Sequence, residues 1–157
     1  MSLAAEVLDL AKKKGVMVAT AESCTGGLVF AALTNIAGSS AVMERGFVTY
    51  TNEAKQEMLG VSKATLDAVG AVSEEVAKEV AEGALVNSKA QVAVSITGIA
   101  GPGGSEHKPE GRVCFGITNG TKTLCETVEF GAIGRENVRN AARDHALALL
   151  RAAILQN

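Results

Sequence analysis

Three short stretches of the 157-residue chain carry residue types that could do chemistry. The first is Thr20-Ala21-Glu22-Ser23-Cys24-Thr25-Gly26-Gly27, set between two apolar runs, 16–19 and 28–33. Such a passage reads as a turn from strand to helix. It would lie at the carboxyl edge of a sheet, where open α/β folds bind ligands. Gly26 and Gly27 let a ligand approach the backbone, and the opening helix offers unpaired N–H groups to an anion. A serine hydroxyl beside fixed N–H donors is what acyl transfer uses. Ser and Thr before a helix more often serve as N-caps, so Ser23 keeps both readings here. Cys24 is a rival nucleophile with no histidine near it in sequence.

The second stretch runs from Tyr50 through Asn52 to Lys55. A Tyr/Lys pair suits a dehydrogenase, but the spacing and the missing dinucleotide fingerprint count against that. Taken singly, Tyr50 reads as a half-buried strand tyrosine and Lys55 as a solvated helix lysine. The third is Gly98-Ile99-Ala100-Gly101-Pro102-Gly103-Gly104-Ser105. Its backbone, at Gly98, Ala100, Gly101 and Gly103 above all, could present N–H groups to a phosphate. It lacks Gly-Lys-Ser/Thr and does not show Gly-x-Gly-x-x-Gly before a helix. A tight turn explains it equally well. His145 falls on the apolar side of the last helix and reads as packed; His107 reads as exposed in a loop. No His/Cys/Asp cluster has metal spacing, so no metal and no cofactor is expected.

Local patterns supply the elements that must hold these stretches. A first amphipathic helix ends in Lys12-Lys13-Lys14-Gly15. A strand over 16–20 precedes the Ser23 turn, and the next helix runs to about residue 37. A strand over 43–51 leads into a short helix carrying Lys55, stopped at Gly60. Ser62 opens another, ending at Gly70. Ser73 caps a longer helix whose buried face is Val76, Ala77, Val80, Ala81, Ala84 and Leu85. Strands follow over 91–97, 112–118 and 123–130, the last two joined by the hairpin signal Asn119-Gly120. A final helix over 135–155 buries Val138, Ala142, Leu149 and Ala153. The order implies an α/β domain over 1–157: a mixed sheet of about five strands, helices on both faces, at least one antiparallel pair.

The formal charge of −2 offers no basic footprint for nucleic acid, and the few aromatics offer no stacking platform for single strands. No run approaches the roughly 20 apolar residues of a membrane span. The N-terminus lacks the basic region of a secretory signal. Three cysteines without a Cys-x-x-Cys pair fit reduced thiols in a cytoplasm. The Ala-rich helices suit a subunit contact as well as internal packing, and a homo-oligomer is expected.

Four stretches together resemble the C-terminal domain family of CinA. They are Thr20–Gly27, Tyr50-Thr-Asn-Glu-Ala-Lys55, Gly70-Ala-Val-Ser73, and Thr97–Gly104 with the following Lys108-Pro109. The resemblance spans nearly the whole chain and implies a three-layer α/β/α sandwich. It further implies nicotinamide-nucleotide amidase activity: nicotinamide mononucleotide plus water gives nicotinate mononucleotide plus ammonia, in pyridine nucleotide recycling. The family's serine nucleophile falls on Ser23, its tyrosine on Tyr50 and its lysine on Lys55. Where the family usually reads Gly-Asp-Arg before the last helix, this chain has Gly131-Ala132-Ile133-Gly134-Arg135. Arg135 is then the counterpart of the arginine. On this reading Ser23 attacks the carboxamide, and neutral Lys55 accepts its proton directly or through Tyr50. N–H groups near Thr25, Gly26 and Gly27 stabilise the oxyanion, Asn52 contacts substrate, and the glycine loop with Lys108 or Arg135 holds the phosphate. Holding a lysine neutral at pH 7 costs roughly 4.6 kcal/mol, since its free pKa is about 10.4. The fold must therefore bury Lys55 or set another cation beside it. A non-catalytic nucleotide-phosphate module and an amidase for another small amide remain as alternatives.

Overall fold

The computed structural model describes residues 1–157, and its strands pair in the order β2-β1-β3-β4-β5. They are β1 (Val18–Glu22), β2 (Met43–Val48), β3 (Val92–Gly98), β4 (Arg112–Thr118) and β5 (Thr123–Glu129). The first three run parallel; β4 and β5 add antiparallel pairs on the β3 side. Six helices accompany them: α1 (Leu3–Lys14), α2 (Leu28–Thr34), α3 (Asn52–Leu59), α4 (Lys63–Val69), α5 (Glu74–Val86) and α6 (Arg135–Gln156). A short 3₁₀ turn, Ser39–Ala41, precedes β2.

Alternation along the strands splits the core into two layers of unlike side chains. Val18, Val92, Val94, Ile96, Val113, Phe115 and Ile117 face α1, α2 and α6 in the larger cluster. On the opposite face Ala19, Ala21 and Ala93 meet Leu59 from α3, Leu66 from α4, and Val76, Val80 and Ala84 from α5. Small residues on that face draw α5 close. A Cβ added at Gly116 would stand 2.6 Å from Ala77 O, and Ser95 Oγ donates to the same carbonyl at 2.6 Å.

Several boundaries differ from the sequence expectation, for tertiary reasons. β1 starts and ends two residues later than expected, because its ladder to β3 runs through Glu22. The helix after it begins at Leu28 and stops at Thr34, short of residue 37. β2 ends at Val48, so Tyr50 lies beyond the strand. Leu85, Leu149 and Ala153 are only half-buried; the long buried stripe of α6 is Val138, Ala142, Ala146, Leu147, Leu150 and Ile154. The caps read from Ser62 and Ser73 are present, each hydroxyl accepting the expected backbone N–H.

The chain leaves β1 toward β2 on one side, then crosses back over α3, α4 and α5 to β3 on the other. The carboxyl ends of β1, β2 and β3 therefore converge where the strand order reverses, the usual crevice of such sheets.

Candidate active site

A cavity of about 330 Å³ opens at that crevice. Its walls come from the ends of all three parallel strands. Ser23 follows β1, its N–H prolonging the ladder to Ile96 O at 3.1 Å. Tyr50, Asn52 and Lys55 follow β2, and the Gly98–Gly104 loop follows β3.

Lys55 is 2% exposed. It lies one turn into α3, which opens on a Thr51 hydroxyl cap. Leu59, four residues on, shares its face and anchors it in the core. Lys55 Nζ donates to Thr49 O at 2.9 Å and to Ser23 Oγ at 3.3 Å. Burial holds this amine below the ordinary lysine range; the Cys24 thiol and the Glu106 carboxylate act in the opposite direction, favouring the charged form. Cys24 exerts that pull only as a thiolate, and burial pushes its thiol up to about 11. At neutral pH Glu106 is thus the charge of consequence to Lys55. The same value argues against Cys24 as nucleophile, since only the thiolate attacks. Burial alone, without a neighbouring cation, lowers Lys55.

Glu22 changes the expected role of the helix start. Its 1% exposed carboxylate accepts from Gly27 N at 3.2 Å, Val29 N at 3.0 Å and Phe30 N at 3.0 Å. The donors assigned to a bound anion are therefore filled from within. Ser23 caps nothing; its hydroxyl is free to meet Lys55. Gly26 N–H folds onto Ser23 O at 3.0 Å. Neither Gly26 nor Gly27 lends an N–H to the cavity, and neither they nor Thr25 line it. The amides of Cys24 and Thr25 are the ones in this turn that donate to no acceptor.

Tyr50 is 61% exposed, not half-buried. Its hydroxyl accepts from Arg135 Nη2 at 2.9 Å and has no hydrogen bond to Ser23 or Lys55, which are joined directly. Arg135 Nη1 donates to Gly101 O at 2.6 Å, so this side chain ties the glycine loop to Tyr50. In that loop Ile99 N–H is taken by Arg112 O at 2.9 Å and Gly103 N–H by Glu110 Oε1 at 3.0 Å. Ala100, Gly101 and Gly104 keep free amides.

Lys108 does not reach the cavity. A bridge between Ser105 and Lys108 folds the loop back, and Nζ donates at 2.6 Å to both Val69 O and Val72 O. The charge that looked available for phosphate is spent on closing the turn between α4 and α5. The cavity thus brings together Ser23, Tyr50, Asn52, Lys55, Gly98, Ala100, Gly101, Gly103 and Arg135, and leaves out Thr25, Gly26, Gly27 and Lys108. Sequence reasoning missed Thr97 and Glu106 in its wall, and Arg139 behind it. The Thr97–Gly104 motif carried a signal for Thr97; nothing local marked the other two.

His145 packs on Phe115, ring centroids 4.5 Å apart, and pairs with Glu126; His107 is exposed. No helix is long and apolar enough to cross a membrane.

The family model of the CinA C-terminal domain matches residues 1–154. The nicotinamide-nucleotide amidohydrolase PncC of Escherichia coli K12 is 50% identical, with 100% of this chain aligned to 96% of that protein. A putative competence-damage inducible protein of Caldicellulosiruptor saccharolyticus is 49% identical over 95% of this chain but 36% of its own length. The chain thus spans little more than a third of that longer relative. The crystal structure of the competence/damage inducible protein CihA of Agrobacterium tumefaciens superposes with a TM-score of 0.93 at 51% identity, covering 96% of this chain and 92% of that one.

Proposed function

The chain belongs to the CinA C-terminal domain family, and from that premise we propose that its cavity hydrolyses the carboxamide of nicotinamide mononucleotide, giving nicotinate mononucleotide and ammonia. One observation carries the chemistry: a buried lysine held below its ordinary range stands 3.3 Å from a serine hydroxyl in the wall of the cavity. The similarity to a full-length nicotinamide-nucleotide amidohydrolase supports the substrate.

In the first step neutral Lys55 Nζ takes the proton of Ser23 Oγ as that oxygen bonds to the carboxamide carbon. The carbonyl oxygen gains the charge, and the free amide of Cys24, a residue of the cavity wall, is the donor for it on this reading. The Lys55 ammonium returns its proton to the amide nitrogen, the C–N bond breaks, and ammonia leaves. Water then attacks the acyl-serine carbon, giving a proton to Lys55. The C–Oγ bond breaks, the proton passes back to Ser23, and nicotinate mononucleotide departs for pyridine nucleotide recycling. The spare donors of Arg135 and the amides of Ala100, Gly101 and Gly104 hold the phosphate, with Tyr50 and Asn52 at the rim.

Ammonia release from nicotinamide mononucleotide by purified wild type, Ser23→Ala and Lys55→Ala tests the reading. Loss of either residue is expected to lower kcat by roughly a thousandfold or more. Rates near wild type would remove these residues from the chemistry. Calorimetric binding of the nucleotide without any ammonia from wild type would make the chain a binding module instead.

A further inference from the structure

The cavity wall holds one charge that nothing in the chain answers. Glu106 lines the cavity together with Ser23, Lys55, Ala71 and Arg135. Its carboxylate takes part in no ion pair. Lys108, two residues on, gives its Nζ to Val69 O and Val72 O instead. Arg135, in the same wall, gives its guanidinium to Gly101 O and the Tyr50 hydroxyl.

The backbone holds this side chain in a strained turn. Ser105 N–H donates to Lys108 O at 3.0 Å and Lys108 N–H to Ser105 O at 2.8 Å, leaving two residues between them. Those residues, Glu106 and His107, have φ of 51° and 64°. Two-residue turns with positive φ favour Asn and Gly, and other side chains are strained there. The turn lays the carboxylate against the segment between α4 and α5, where a Cβ on Gly70 would run into Glu106 Oε2. From this place its charge reaches Lys55 and favours the ammonium.

An unpaired anion is out of place in a cleft that takes only a phosphate, which it repels. It suits a ligand that also carries a cation. The proposed substrate does, because the ribose on its ring nitrogen makes the pyridine a fixed cation at every pH. The carboxamide is bonded to that ring, so attack by Ser23 requires the ring to stand beside the Ser23–Lys55 pair, which the charge of Glu106 already reaches. The ring cation also offsets the pull of Glu106 on Lys55, and binding then favours the neutral amine that the first step uses. We propose that Glu106 sets the substrate class of this site: its carboxylate is the counter-charge of the pyridinium ring, so the cavity selects a cationic pyridine carboxamide over a neutral one of similar shape. The idea rests on the amidase reading above and adds a specificity residue to it.

Reduced nicotinamide mononucleotide supplies the comparison. Its dihydropyridine ring keeps the carboxamide, ribose and phosphate but loses the charge. Dissociation constants for the oxidised and reduced nucleotides are measured by calorimetry on Ser23→Ala protein, with Glu106 intact, as Glu106→Gln and as Glu106→Asp, and thermal unfolding is followed for each. An exposed ion pair is worth about two- to fivefold in affinity, and more where the ligand displaces water. Glu106→Gln is therefore expected to weaken the oxidised nucleotide about three- to tenfold and leave the reduced one within about twofold. Glu106→Asp, which keeps the charge, should retain most of the preference. Equal weakening of both nucleotides marks a structural role and overturns the proposal, as does a Glu106→Gln protein whose preference for the oxidised ring is unchanged. Ammonia release by the protein with Ser23 and Glu106 intact separates the two readings. No ammonia overturns the amidase reading and this inference together; an active enzyme whose Glu106→Gln variant keeps the ring-charge preference overturns the inference alone.

Discussion

On the proposed mechanism, Lys55 is where function and stability oppose each other. A lysine whose folded pKa is lowered binds fewer protons folded than unfolded, between that lowered value and the free value of about 10.4. Stability therefore rises with pH through this window and is lost as pH falls through the folded value. Lys55→Met removes the titration while filling a similar volume. We expect the pH slope of the melting temperature between about pH 7 and 10 to flatten in this variant. We expect also a gain of about 0.5–2 kcal/mol at pH 7, the range of single stabilising substitutions, and a loss of activity with it. An unchanged slope in thermal melts across that range would mean the amine is not held out of water. On the proposed mechanism the same proton is expected to set the acid limb of kcat/KM, which should climb as Lys55 deprotonates. Glu106 is the neighbouring charge that favours the ammonium at neutral pH. Glu106→Gln should therefore shift that limb to lower pH, read from a pH–rate profile. A shift to higher pH would contradict the placement of Glu106 beside the amine.

Elements show which parts of the site are readable locally. Helices α4 and α5 announce themselves through Ser62 and Ser73 at their starts, because a cap is a contact within three residues; the Thr51 cap of α3 reads instead as the last residue of the strand before it. Helix α2 has no such signal. Gly27 precedes it without a side-chain cap, and the carboxylate that does the work sits on the strand before it. That is why Glu22 was legible only as part of a motif, and why Gly26 and Gly27 were assigned an anion they do not meet. Exposure was equally hidden. Lys55 and Tyr50 exchanged the environments their local patterns suggested, since burial depends on how α3 seats against α5. Arg139 grips a carbonyl 115 residues away in sequence, beyond the reach of any periodicity. The α2 cap carries its own prediction. Glu22→Gln keeps the shape but turns an NH₂ toward an N–H donor, leaving buried amides at Gly27, Val29 or Phe30 unsatisfied. The cost should be about 1–3 kcal/mol, seen as a lower urea midpoint with an unchanged slope. A variant as stable as wild type would show that solvent replaces the carboxylate at the helix start.

At the scale of the whole molecule, the unequal faces of the sheet decide where the cavity can form. Large side chains on one face hold α1 and α6 at a distance, while alanines and Gly116 on the other let α5 settle onto β3 and β4. The turn leading into α5 contributes Ala71 and Val72 to the cavity wall. Thr97 Oγ1 fastens that turn to β3 by donating to Ala71 O at 3.0 Å. Closeness of α5 to the sheet is thus coupled to the shape of the cleft, though Gly116 lies far from it in sequence. Gly116→Ala places a methyl where Ala77 O stands 2.6 Å and Ser95 Oγ 2.7 Å away. Backbone cannot step aside as a side-chain tip can, so α5 must lift. Overpacking of this kind costs about 1–3 kcal/mol, and the shifted turn should raise KM for the nucleotide. Val86→Ala, at an 82% exposed position on the same helix, should change stability by no more than about 0.5 kcal/mol and leave KM alone. Urea midpoints and KM for the two variants separate a seated helix from a loosely packed one. Equal, small effects would mean that α5 does not rest on the sheet through the gap at Gly116, and that the cleft owes its shape to the strand ends alone.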